Sequence, residues 1–288
     1  MRSRARLRFR RTAARAAALA TAALLLGAGA APAQTPLGSR DLTVMTYNIA
    51  SALETGNELG PIAAYIRAVN PDVVALQEVD MSWSRSDSFD QAGELAQRLG
   101  MRAIFDANLD CVRFDLDDDG SCAYGTAILT RFPVLDSETR FYGLPRYAGR
   151  EPRGLARVVL DVNGRPFEVF NTHLSFYAPE RRAQVNAVHR LTAYRRVPRA
   201  VMGDFNVVPA SAELAPMRRS FIDAQAARRL GARGTTNALR PLRLDYVWLS
   251  RGIYPLSVRL LYARLSDHRP VIARIRLPFT PAYRIAGG

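Results

Sequence analysis

The chain has 288 residues, 48% hydrophobic and 23% charged, with 40 basic against 26 acidic side chains and a net charge of +14. That length and apolar content supply a real core for one large domain or two small ones, and exclude a disordered or fibrous chain. Every basic residue is arginine, and there are only two cysteines and three histidines, which excludes lysine-based phosphate loops, kinases and Schiff bases, zinc fingers and four-thiolate clusters.

Residues 1–33 read as an address rather than as structure. Seven arginines between Arg2 and Arg15, with no acid, precede the short apolar run Ala16 to Gly27 and the small-residue triplet Ala31-Pro32-Ala33. This is the pattern of a cleaved export signal, so the mature chain is expected to start near Gln34, in the periplasm or outside the cell. The apolar run is short for a bilayer span, which disfavours a membrane anchor. Arg10-Arg11 leaves the twin-arginine and general routes both open. Without this segment the remaining 255 residues carry +7, a field that favours anionic ligands, although a general arginine bias explains it equally well.

Leu42 to Ile49 and Val73 to Val79 read as strands. Between them Leu59, Ile62, Ala63 and Ile66 fall at helical spacing, and Ala92, Leu95, Ala96 and Leu99 repeat it behind Asp90, a good N-cap. Strands are expected at 101–106, 126–132 and 134–142. In an exported chain Cys111 and Cys122 are expected to pair. Their loop holds Asp115-Leu116-Asp117-Asp118-Asp119-Gly120, half of a calcium loop, but Thr126 stands where the twelfth-position glutamate is required, so a solvated acidic loop is favoured over a calcium site. Residues 155–162 and 167–174 form a hairpin around Asn163-Gly164, which suits a type I′ turn. A helix over about 180–195 follows, then strands at 199–204, 244–250, 256–263 and 270–277. So many strands with helices between only some of them predict one domain of two packed sheets covered by helices, spanning 41–278 with a short tail at 279–288.

Polar residues stand where these apolar runs end. Asn48 closes T-Y-N-I, Glu78 stands in L-Q-E-V, and His173 follows F-N-T. Asp204 and Asn206 lie in G-D-F-N, Asp245 in L-D-Y-V-W, and Asp267-His268 precede Arg269-Pro270. Singly each is an ordinary turn former or cap. Together they supply hard oxygen ligands for Mg²⁺ or Mn²⁺, a histidine–aspartate pair for proton transfer, and a second histidine with an asparagine to hold phosphate oxygens.

The ordered series T-Y-N-I, L-Q-E-V-D, G-T-A-I-L-T-R-F-P, N-T-H-L, G-D-F-N, L-D-Y-V-W-L-S and S-D-H-R-P-V strongly resembles the endonuclease/exonuclease/phosphatase superfamily across nearly all of residues 41–277. The resemblance implies a four-layer α/β sandwich, two mixed sheets flanked by helices, and metal-dependent hydrolysis of phosphoesters. It makes Glu78 the principal metal ligand, with Asn48 and Asp267 beside the ion directly or through water. His268 becomes the acid/base histidine, oriented by Asp245, while His173 and Asn206 hold the phosphate. Asp204 either positions the attacking water or touches the metal, and Arg153 in E-P-R-G is a candidate substrate contact. His189, on the predicted helix, is set aside as a surface residue. Mg²⁺ or Mn²⁺ is the expected ion, with Ca²⁺ as the alternative. The expected substrate is an anionic phosphoester, whether nucleic acid, phospholipid headgroup or inositol phosphate, turned over by a monomer without an obligate protein partner. By the same resemblance, His173 and export both argue against an apurinic-site repair enzyme, and the lack of a long aromatic hairpin insertion makes a lipid substrate less favoured. A catalytically silent anion-binding module or a calcium-dependent interaction protein on this fold is the alternative, disfavoured because every chemical position is filled.

Overall fold

The computed structural model describes residues 38–110, 122–142, 151–230, 233–239, 241–262 and 264–278. The expected export signal, Cys111, the acidic loop Asp115 to Gly120 and the tail 279–288 lie outside them. In chain order the elements are β1 (Ser39–Asn48), α1 (Leu59–Val69), β2 (Val73–Met81), α2 (Gln91–Leu99), β3 (Arg102–Asp110), β4 (Ala123–Thr130), β5 (Val134–Phe141), β6 (Gly154–Asp161), β7 (Pro166–His173), α3 (Ala178–Thr192), β8 (Arg199–Asp204), α4 (Ala215–Ser220), β9 (Phe221–Asp223), α5 (Ala224–Ala227), β10 (Asp245–Ser250), β11 (Tyr254–Leu260) and β12 (Val271–Pro278).

The strands form two six-stranded sheets, ordered β11-β12-β1-β2-β4-β3 and β5-β6-β7-β8-β10-β9. Each is mixed: β1–β2 and β7–β8 are parallel, and the other pairs are antiparallel. Strand periodicity sorts their side chains into layers. Leu42, Val44, Val73, Ala75 and Ile128 of the first sheet pack against Phe167, Val169, Ala200, Met202 and Val247 of the second. On the outer face of the first sheet Met45, Tyr47, Val74 and Leu76 meet Ile62 and Ile66 of α1 and Leu95 of α2. On that of the second, Phe170, Val201, Tyr246 and Trp248 meet Val185 and Val188 of α3 and Met217 of α4. The result is the predicted four-layer sandwich.

Local signals behave as their chemistry dictates. Asp90 caps α2 by accepting from Gly93 N at 2.9 Å. Asn163 and Gly164 both take positive φ, 57° and 75°, and Val162 N bonds Arg165 O at 2.8 Å, as a type I′ hairpin requires. The helix predicted over 180–195 instead runs Ala178–Thr192. Its end is set by the guanidinium of Arg199, which donates to the carbonyls of Thr192, Ala193, Arg195 and Val197 at 2.5–2.8 Å and so satisfies groups that would otherwise continue the helix or need water. The short elements α4, β9 and α5 carry too few periods to be read from sequence.

Candidate active site

The inward-facing rows of four strands all reach one rim of the sandwich. Leu42, Val44 and Thr46 lead to Asn48; Phe167, Val169 and Asn171 lead to His173; Ala200 and Met202 lead to Asp204; Leu249 and Val247 lead back to Asp245. Register aligns them sideways, with His173 opposite Asp204 and Asp204 opposite Asp245. His268 arrives from the connection between β11 and β12. That connection is tied to β1 by Ser266 Oγ donating to Asn48 O at 2.7 Å. Across the two sheets Asn48 Nδ2 donates to Asp204 Oδ2 at 3.3 Å.

Glu78 reaches the rim by a different route. Strict alternation from Val73, Ala75 and Gln77 would turn it toward the helices. The β2–β4 register shifts between Gln77 and Val79, and Glu78 takes φ 53°. This is a bulge, a device that re-aims a side chain and resets the alternation. Val79 accordingly packs under the helices, and Glu78 Oε1 accepts from Asn48 Nδ2 at 2.8 Å. Its side chain is 31% exposed, whereas those of Asp204 and Asp245 are 2% and 1%. Glu78 and the exposed Asp267 therefore stand at the mouth, and Asp204 and Asp245 on the floor.

The two histidines are held in opposite states. His268 Nδ1 lies 2.8 Å from Asp245 Oδ2, and its Nε2 lies 3.7 Å from Asp204 Oδ2. Burial disfavours its charge, but Asp245, Asp204 and Asp267 outweigh burial and push it up to about 10. His173 Nδ1 faces Arg153 Nη1 at 2.8 Å. Arginine can only donate, so Nδ1 accepts and the neutral ring carries its proton on Nε2. That atom points into the site, 3.2 Å from Asn206 Nδ2, 3.6 Å from Asp204 Oδ2 and 4.0 Å from Glu78 Oε1. Burial and the charges of Arg153 and His268 hold His173 well below the usual range. Asn206, with φ 51°, is fixed by Nδ2 donating to Leu174 O and by its own N–H on Asp204 Oδ1, both at 2.8 Å.

The acids are short of positive charge. Burial and then Asp245 push Asp204 up to about 7; burial raises Glu78 against the opposing bond from Asn48; and buried Asp245 Oδ1 has no hydrogen-bond partner. A hard divalent cation at such a cluster of carboxylate and amide oxygens would relieve that deficit. Asp204, Asp245 and His268 offer ligand atoms within 4.8 Å of one another and could hold an ion. Two of the three are already engaged with each other, while Glu78 and Asp267 at the mouth have free oxygens.

All nine residues singled out for chemistry, Asn48, Glu78, Arg153, His173, Asp204, Asn206, Asp245, Asp267 and His268, come to this one rim. Arg153 is less ordinary than its place before a hairpin suggests. Its side chain is only 7% exposed and also meets Glu151 at 2.5 Å. Sequence reasoning missed Gln77 and Asn171, which interlock the sheets just beneath the site. Gln77 Nε2 donates to Asn171 Oδ1 at 2.7 Å, and Asn171 Nδ2 donates to Leu76 O and Ala127 O. Their signal was a polar residue at an inward parity position. Asn237 was also missed; it bonds the backbone of Ser266 and Asp267 and so shapes the His268 loop. His189 is half-buried rather than on the surface, with Nε2 2.8 Å from Ser220 Oγ, remote in the fold from the rim.

The sequence profile of the Endonuclease/Exonuclease/phosphatase family matches residues 45–268. A search among curated proteins gives no match. Among solved structures, the chain is similar to an endonuclease/exonuclease/phosphatase from Beutenbergia cavernae DSM 12333 (25% identity, 83% of this chain and 72% of that one, TM-score 0.62). It is also similar to a mannosyl-6-phosphatase from Bacteroides thetaiotaomicron VPI-5482 (20%, 81% and 99%, TM-score 0.61). A third is ANGEL2, a 2′,3′-cyclic phosphatase solved with adenosine-2′,3′-vanadate (15%, 83% and 96%, TM-score 0.63).

Proposed function

The chain belongs to the endonuclease/exonuclease/phosphatase family, a family of metal-dependent phosphoester hydrolases, and from that premise we propose that it is an exported phosphoesterase whose chemistry runs at the Asn48–Glu78–His268 rim. One observation carries the reading. Two amides, four acids and two histidines converge on one rim of the sandwich, where Glu78 and Asp267 reach solvent. Glu78, with Asn48 and Asp267, would hold a divalent ion, Mg²⁺ or Mn²⁺ before Ca²⁺. Bound there, such an ion would supply Lewis-acid stabilisation of phosphoryl charge. His173 Nε2–H and the Asn206 amide donate to the phosphate as its charge grows. Arg153 acts through His173, fixing its tautomer, more than as a direct substrate contact. Asp204 lies between both imidazoles and orients the attacking water. His268 exchanges the proton through Nε2 while Asp245 holds Nδ1.

The substrate is an anionic phosphoester, with nucleic acid, phospholipid headgroup and inositol phosphate as the classes to separate. A phosphosugar joins them because one neighbour is a mannosyl-6-phosphatase. A panel of plasmid DNA, RNA, sphingomyelin, inositol phosphates, mannose 6-phosphate and bis-p-nitrophenyl phosphate, each with Mg²⁺, Mn²⁺, Ca²⁺ or chelator, identifies it. Metal-dependent turnover that Glu78→Ala abolishes in a folded protein is the expected outcome. A wild type inert across the panel, or a variant with normal metal dependence, would overturn the reading. Export and a Cys111–Cys122 bond belong to the same proposal. The signal pattern of residues 1–33 supports the first, and Cys122, buried beside Trp83, Leu109 and Tyr124, suits the second. Exported protein should start near Gln34 by mass and show no free thiol; two titratable thiols would refute the bond.

A further inference from the structure

Beyond Asn48 the backbone takes an expensive course. Ala50, Ser51 and Ala52 have φ of 47°, 52° and 60°, and Glu78 on the neighbouring strand has 53°. For residues with a Cβ this left-handed region is strained, because the Cβ crowds the following carbonyl oxygen. It persists only where the surroundings over-determine it. The strained segments are those that carry Asn48 and Glu78.

One ion pair between buried Asp80 and the partly exposed Arg85 holds both. Asp80, fully buried two residues after Glu78, receives the fork of Arg85, with Nε on Oδ2 at 2.9 Å and Nη2 on Oδ1 at 2.7 Å. Ser51 Oγ stands 3.2 Å from Asp80 Oδ1, 3.3 Å from Arg85 Nη2 and 3.4 Å from the carbonyl of Glu78 itself. Gln91, at the start of α2, donates to Ser51 O at 2.7 Å and accepts from Asp80 N at 2.9 Å. The guanidinium is fixed in turn by aromatic faces, 3.7 Å from the centre of the Trp83 ring and 5.2 Å from that of Tyr124. Asp80, Gln91 and two of the three guanidinium nitrogens of Arg85 thus tie the left-handed turn at Ser51 to the strand just past the bulge.

We propose that the Asp80–Arg85 pair is a positioning clamp that holds Asn48 and Glu78 in their ion-binding geometry. Neither residue touches substrate; both act through Ser51 and the two strained segments. The inference rests on the reading of Glu78 as a metal ligand, and the test separates the two.

The informative variant is the charge-neutral pair Asp80→Asn with Arg85→Met, because removing Arg85 alone would strand the buried Asp80 carboxylate and destabilise the fold for an unrelated reason. Three quantities are measured: Mn²⁺ affinity without substrate, hydrogen exchange at the Ala52 and Asn57 amides, which close the turn on Ile49 O and Ala52 O, and thermal unfolding in chelator. The clamp predicts Mn²⁺ binding weakened about 10- to 100-fold, the range seen when partners behind a metal ligand are removed. Exchange should quicken at Ala52 and Asn57 but not in β7 or β8, with little change in unfolding. Arg85→Lys should recover part of the affinity, since it keeps the charge and loses the fork. Wild-type exchange at Ala52 and Asn57 would overturn the clamp, as would equal acceleration across both sheets. If Glu78→Ala binds Mn²⁺ as wild type does, the metal reading of Glu78 fails, and the exchange data alone then decide the clamp.

Discussion

Asp245 contributes one oxygen to His268 and leaves the other, buried, without a partner. Such an arrangement is worth keeping only if holding a charged imidazole matters more than satisfying the carboxylate. If the two act as a unit, His268→Ala and Asp245→Asn should each cut turnover by something like 10²–10⁴-fold. Michaelis constants should move little, and the double variant should be scarcely worse than His268→Ala. Steady-state constants for the three variants check this. Multiplicative losses would mean two independent roles, and normal turnover in Asp245→Asn would reduce Asp245 to a strand-end hydrogen bonder.

Among the elements, β4 carries the consequence of two irregularities at once. Its Gly125 pairs with Val79 just past the Glu78 bulge and with Ala107 just before a second register shift at Asn108. A Cβ on Gly125 would stand 1.9 Å from Asp106 O and 2.9 Å from Asn108 N, inside backbone that cannot yield. Gly125→Ala should therefore lower stability by about 1–3 kcal/mol, the usual cost of overfilling a packed site. It should also impair turnover, because the β2–β4 ladder that fixes Glu78 must shift with it. Urea unfolding and assay of the folded fraction give both numbers; unchanged stability would show that β3 moves aside freely.

For the whole molecule, the contact between the two sheets sets a pH dependence. Asp106 of β3 is buried; Thr139 of β5 in the other sheet donates to its Oδ1, and its Oδ2 has no partner. Burial, against the Thr139 bond, pushes its carboxyl from 3.8 up to about 6. A raised folded-state value means that the folded protein holds this proton more tightly than the unfolded chain. The stabilisation is thus complete below pH 3.8 and is lost as pH rises through about 6. About two pK units correspond to at most roughly 3 kcal/mol. Asp106→Asn removes the titration, so its stability relative to wild type should improve steadily between pH 4 and 7. Denaturant melts at three pH values test this, and a difference independent of pH would show that Asp106 is ionised in the fold.

The sequence by itself determined whatever depends on short-range periodicity and on chemistry bound to strand ends. Alternation in β1, β7, β8 and β10 already marks Asn48, His173, Asp204 and Asp245 as inward residues of one rim. Asn163-Gly164 and Asp90 are legible because turn and cap geometry are local, and the motif order of the family is legible because it runs along the chain. Only the tertiary structure decided what depends on partners far away in sequence. Alternation alone would send Glu78 to the helix face; a bulge against β4 brings it to the rim. Arg153 becomes buried because β7 supplies His173. Asp80 looks like an ordinary surface charge until Ser51, Arg85 and Gln91 close around it. Such features are sums of weak contacts between elements that are not neighbours in sequence, so no window of sequence contains them.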